Sequence, residues 1–230
     1  MATQSTITNL RRKRQGKFSP LFFAQVLLVA VSPYLEKPGL PVLLLRLFAA
    51  VTFLTGVYAV SEKRAQWITA LALAIPAGVL NALSAFHPDS QITVPTLITT
   101  ILFLAYTLAT LLRAVLRAEI VALDTIYGAL SVYLLIAFVW GTAYMLLETL
   151  HPGALAVNTI RHPNQQIDWS DCMFYSFVTL TSLGYGDMVP VISQSRSLSI
   201  LEAVSGIMYV AILIARLVSL YSTANRRQKS

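Results

Sequence analysis

The sequence predicts an all-α membrane protein of six transmembrane helices, with a short re-entrant helix and an extended loop between the fifth and the sixth. Three observations carry this. The 230 residues are 56% apolar and only 12% charged, which leaves too little polar surface to coat a soluble body of that size. Six apolar runs, at about 18–35, 40–60, 65–86, 91–115, 125–150 and 197–221, approach the roughly 20 residues that cross a bilayer. The residues between the last two runs form neither a long polar loop nor another crossing.

The first run is the shortest, because Ser32-Pro33 closes its apolar stretch early. A cleaved signal peptide is the competing reading there, since Arg11-Arg12-Lys13-Arg14 precede it, but no small-residue cleavage site follows, and a retained span is expected. Charge orients the runs. Arg11 to Lys17, Lys63 and Arg64, Arg113 and Arg117, and Arg226 to Lys229 fall in alternate connections, whereas the other loops hold only Lys37, Arg161 and Arg196. Positive loops stay cytoplasmic, so both termini are expected inside. The net charge of +7 is thereby an orientation signal that calls for no nucleic acid, with anionic lipid as a second partner of the basic termini.

One cysteine, Cys172, excludes an intrachain disulfide. His87, His151 and His162 lie in expected outer loops at unrelated spacings and form no zinc motif. No nucleophile triad and no phosphate-binding glycine loop is present, and the paired carboxylates Asp168 and Asp171 are better used at a helix start, so no enzyme is expected.

Asp168-Trp169-Ser170-Asp171 precedes the apolar run Cys172–Leu180. Asp168 suits an N-cap, and acidic residues complement the dipole of a first turn. The run is too short to span, and the chain then becomes polar and glycine-rich, Thr181-Ser182-Leu183-Gly184-Tyr185-Gly186-Asp187. Non-helical backbone at membrane depth persists only inside protein or along a water-filled path. Gly184 and Gly186 permit conformations that turn successive carbonyls toward one axis, and rings of carbonyls replace the water shell of a desolvated cation. Tyr185 is expected to point away from that axis and wedge against the preceding helix.

The nonapeptide Thr179-Leu180-Thr181-Ser182-Leu183-Gly184-Tyr185-Gly186-Asp187 resembles the potassium-channel signature Thr-x-Thr-Thr-Val-Gly-Tyr-Gly-Asp, matching its six fixed residues other than the Thr-Val pair. The likeness runs from about Ile126 to Tyr221 and is closest to bacterial six-span channels with short tails. It implies a pore helix at 168–181, a selectivity filter at 182–187 and an inner helix at 197–221. Potassium would be held by Ser182, Leu183, Gly184 and Tyr185 and would be part of the filter's structure. Phe174, Tyr175, Val178 and Thr179 would support the filter. The carbonyl cage needs four chains, which implies a homotetramer in a bacterial inner membrane.

The departures from the signature bear on the filter. Ser182 replaces a threonine that forms the innermost site, and Leu183 replaces valine. Phe174 and Val178 stand where relatives carry a tryptophan or a glutamate that bonds the aspartate after the filter. Asp187 is left with Trp169, Tyr175, backbone amides or water.

In the sixth run, Gly206 stands at the place of the family's inner-helix hinge; close packing of helices is the other reading. Val210, Ile214 and Val218 below it would form an apolar gate. Glu202 is costly to bury unpaired; it reads as a bond to the end of the pore helix or as an ion contact. Voltage sensors carry Arg at every third position, but 91–112 contains no Arg or Lys. The expected organisation is a basic tail at 1–17, a four-helix domain at 18–117 resembling a voltage-sensor domain without its arginines, a pore domain at 118–221 and a tail at 222–230 too short for a ligand-binding domain. The expected function is passive potassium conduction without steep voltage gating. The alternatives are a weakly selective cation channel, or a membrane sensor or scaffold with a vestigial pore.

Overall fold

The computed structural model describes residues 18–34, 50–52, 54–59, 64–84, 90–118, 122–157 and 167–229. The elements are α1 (Ser19–Val31), α2 (Arg64–Leu83), α3 (Ser90–Arg117), α4 (Leu123–Leu150), α5 (Trp169–Leu180) and α6 (Ser193–Lys229). Two short strands, β1 (Leu155–Val157) and β2 (Met188–Pro190), pair antiparallel. Helices α2, α3, α4 and α6 are each long and apolar enough to cross a membrane.

The expected third, fourth, fifth and sixth runs thus correspond to helices, the sixth extending well past both of its expected ends. The first is shorter than expected. Its α-helix stops after 13 residues at Val31 and tightens into a 3-10 turn over Ser32–Tyr34, because Pro33 lacks the N–H that would continue the ladder. At 1.5 Å per residue α1 is about 20 Å long, short of the roughly 30 Å of a hydrocarbon core. Of the expected second span, only helical turns at 50–52 and 54–59 are described; its first half, the basic residues at 11–17 and His162 lie outside the described residues.

Threonine-rich α3 illustrates how polar side chains are accommodated. Thr96, Thr107 and Thr110 each donate to the carbonyl four residues back, at 2.7 to 2.9 Å, so no hydroxyl need be desolvated without a partner. Only residues 118–122 separate α3 from α4. A connection that short makes the two helices antiparallel neighbours within one chain, and they pack along each other. Helix α1 also packs on α4: the Phe18 amide donates to Asp124 Oδ1 at 3.0 Å, the Phe18 ring lies against Gly128, and Phe22 and Phe23 meet Tyr127 at centroid distances of 5.5 and 5.6 Å.

Helix α4 is therefore the central post. Val132, Leu135, Ala137 and Phe138 on it are buried, and it receives α5 and α6 as well. Gly141 lets α5 approach, since a Cβ there would run into the Met173 side chain. The Tyr209 hydroxyl of α6 donates to the Ala129 carbonyl at 2.6 Å, and Arg216 Nη2 donates to the Ala118 carbonyl, just past the end of α3, at 3.0 Å. Because the Tyr209 bond is buried, Tyr209→Phe should lower unfolding stability by roughly 0.5–1.5 kcal/mol, read by thermal or denaturant unfolding of the detergent-purified protein; an unchanged midpoint would show that the α4–α6 contact rests on packing alone.

Candidate functional site

Helix α5 starts as its sequence dictates. Asp168 Oδ1 accepts from the Asp171 amide at 2.9 Å and Asp171 Oδ2 accepts from the Asp168 amide at 3.1 Å, a reciprocal capping box that satisfies two orphan donors. Its C-cap is Thr181, whose hydroxyl returns to the Phe177 carbonyl at 2.7 Å. The helix occupies 169–180 within the expected 168–181.

Beyond Thr181 the backbone changes hand at alternate residues. Ser182, Gly184 and Gly186 have φ of 57°, 60° and 78°, and among the described residues Ser182 is the one non-glycine with positive φ. In an extended strand successive carbonyls point to opposite sides. A ribbon that alternates left- and right-handed residues turns carbonyls to one side and amides to the other, and concave ion sites are made from either face, amides for anions and carbonyls for cations. For an L-residue, left-handed geometry costs roughly 1–2 kcal/mol, a strain that falls on Ser182 and not on the glycines. Residues 181–186 are all exposed in the single chain.

The supporting residues are sorted by the packing. The Tyr185 ring lies parallel to Phe174 on α5, at 6.2 Å and an interplanar angle of 1°. Tyr175 is buried, edge-on to Tyr144 at 4.9 Å, with its hydroxyl 2.7 Å from Ser199 Oγ on α6. Trp169 stacks on Phe138. Val178 is buried and Thr179 half-buried. Among the partners considered for Asp187, a backbone amide serves: Asp187 Oδ1 accepts from the Met188 N–H at 3.1 Å.

The chain after the loop is held by features that sequence reasoning missed. Val157 pairs with Met188 and Leu155 with Pro190, so the segment following α4 clasps the segment following Asp187. Glu148 fixes the clasp: its two oxygens accept from the amides of Gly153 and Leu155 at 2.7 and 3.1 Å. The Ala154 carbonyl accepts from the Val191 amide and the Ser195 hydroxyl. His151 is exposed at the C-cap of α4.

On α6, Glu202 is wholly buried, with Oε2 2.7 Å from the Tyr144 hydroxyl and Oε1 2.5 Å from Ser176 Oγ. Ser176 sits in the middle of α5, so the expected bond to that helix exists but not at its end. Ser176 was legible only as a polar residue inside the apolar run 172–180. At Gly206 a Cβ would collide with the Leu180 carbonyl and side chain, which is close packing of α6 on the last residue of α5. Val210, Ile214 and Val218 are exposed on α6 in the single chain.

The residues just described coincide with a family pattern. Residues 125–223 match the family model Ion_trans_2, described as an ion channel. Together with four helices able to cross a membrane, the match supports an ion channel integral to a membrane. No curated protein and no solved structure matches the chain.

Because the obstacle at Gly206 is backbone, the methyl of Gly206→Ala already forces α5 and α6 apart. A loss of about 1–3 kcal/mol is expected, the usual cost of overpacking, measured by unfolding in detergent. No loss would mean that the two helices separate freely at this point.

Proposed function

We propose that this chain is one subunit of a homotetrameric, potassium-selective channel with its filter at Thr181 to Asp187, six transmembrane segments and both termini cytoplasmic. The observation that carries the reading is the alternation of positive φ at Ser182, Gly184 and Gly186. Carbonyls from four such ribbons around one axis would make the stacked rings that substitute for a cation's hydration shell. Tyr185 lies against Phe174, which suits a ring held open from behind.

Depth supports re-entrance. Gly206, against which α5 ends, lies thirteen residues along α6 from Ser193, or about 20 Å at 1.5 Å per residue. Helix α5 thus descends to about the middle of a bilayer, while the β1–β2 pair brings the chain back beside the end of α4. The C-terminal carbonyls of α5 then face inward and favour a cation beneath the filter.

Reversal potentials of the purified protein in liposomes, under opposed potassium and sodium gradients, test the reading. A reversal near the potassium equilibrium potential is expected, and one near zero would replace it with a weakly selective cation channel. Gly184→Ala should abolish potassium flux while the protein still assembles. Within the single chain no described neighbour lies within 4 Å of an added Cβ there, so the cost inside the subunit is the backbone strain of φ +60°.

Conduction should also depend only shallowly on voltage. Helix α3 has no basic residue from Gln91 to Leu112, and Arg113 and Arg117 lie at its end beside the short turn into α4. A steep conductance curve that flattens in the Arg113→Gln, Arg117→Gln double variant would overturn this.

A further inference from the structure

Between α4, α5 and α6 lies a connected set of buried polar groups whose hydrogens can be counted. Ser199 Oγ is 2.8 Å from the Ser195 carbonyl and 2.7 Å from the Tyr175 hydroxyl. A carbonyl only accepts and a hydroxyl has one proton to give, so Ser199 donates to Ser195 and Tyr175 donates to Ser199. The Tyr144 proton goes to Glu202 Oε2 at 2.7 Å; its 3.5 Å separation from Ser199 is beyond the range of a good O–H···O bond.

Ser176 presents the conflict. Its Oγ is 2.8 Å from the Ala137 carbonyl and 2.5 Å from Glu202 Oε1. With its single proton on the Ala137 bond, the contact with Oε1 needs a proton that only Glu202 can supply. An ionised Glu202 would leave two lone-pair oxygens facing each other at one of these two contacts. It would also bury a charge whose two donors are neutral hydroxyls, and an intramembrane charge without a cationic partner is expensive.

We infer that Glu202 is carried as the neutral carboxylic acid, accepting from Tyr144 and donating to Ser176, and that in this form it is a positioning residue that ties α5 to α4 and α6 behind the filter. The protonation state stands on the hydrogen count alone; the role behind the filter rests on the proposed pore. The two hydroxyls bonded to Glu202 lie on α4 and α5, so it acts on the loop through α5.

Infrared spectroscopy of the full chain in lipid at neutral pH tests the state. A protonated-carboxyl stretching band is expected that moves on isotope labelling of glutamate carboxyls and disappears in Glu202→Gln. Because Glu36, Glu62, Glu119 and Glu148 are labelled as well, the band is assigned to Glu202 by its loss in Glu202→Gln or, if that variant does not assemble, in Glu202→Asp; a glutamate band that survives both, or no glutamate band in the wild type, overturns the neutral state. The role is tested by substitution. A glutamine amide can donate to Ser176 and accept from Tyr144, so Glu202→Gln should keep the wild-type melting temperature and potassium-over-sodium permeability ratio. Glu202→Ala should lower both, the ratio by about tenfold, equivalent to about 1.4 kcal/mol. Glutamine as damaging as alanine, or alanine as harmless as glutamine, overturns the positioning role. A wild-type protein without potassium selectivity would instead sink the pore reading and leave the infrared result standing.

Discussion

A backbone that leaves helical geometry inside a membrane must have every carbonyl and amide met by protein or by water. On the re-entrant reading proposed above, residues 182–187 carry that constraint in this chain, and much of the surrounding structure can be read as its consequence. The two glycines relax the conformational demand, yet relaxed backbone does not hold a shape. Its shape comes from both ends. Upstream, the Ser182 and Leu183 amides still return to the Thr179 and Val178 carbonyls, so the ribbon leaves α5 in a defined direction. Downstream, β2 is caught by β1 and by the Glu148 anchor behind it. The stack of Tyr185 on Phe174 fixes the middle.

The outer helices serve a different demand. Helix α3 ends at Arg117 and α4 begins at Leu123, a separation so short that the two pack as antiparallel neighbours within one chain. Movement of α3 would be passed to α4 as strain and, through the Arg216 bond to Ala118, to the inner end of α6. With no charge along most of α3, the membrane field has little to act on. In the proposed channel, this combination of tight packing and missing charge favours a supporting role for α3.

What was legible in the sequence was local. The ends of α5 follow from Asp168, Asp171 and the onset of glycine, each within a few residues of the end it sets, and long apolar helices declare themselves by length. The positive-φ positions at 184 and 186 were legible because glycine marks them, whereas the one at Ser182 was not, since no residue type announces it. The β1–β2 pair was missed because each strand has three residues, too few for an alternation to register, and their pairing spans more than thirty residues of chain. Glu148 looked like an ordinary polar residue at a helix end. Arg216 was hidden inside an apolar run, and its partner is a backbone carbonyl at the far side of α4, which no side-chain pattern reports.

The contact between α5 and α6 shows how these levels join. Ser176 and Leu180 are four residues apart on α5, and Glu202 and Gly206 are four apart on α6, so each pair lies on one helix face. The two helices run in the same direction at this contact, and the pairs meet rung on rung: Glu202 with Ser176, then Gly206 with Leu180. The lower rung needs a residue without a side chain so that backbone can touch backbone; the upper rung uses the closeness this creates to make a bond short enough for a carboxyl and a hydroxyl. Lipid offers no hydrophobic gain for pressing helices together, so small residues and internal hydrogen bonds must provide it. The glycine that a hinge reading would treat as a point of freedom is, at this rung, the residue that lets α6 grip α5. Bending of α6 that leaves this grip intact has to occur below Gly206, in the stretch that carries Val210, Ile214 and Val218.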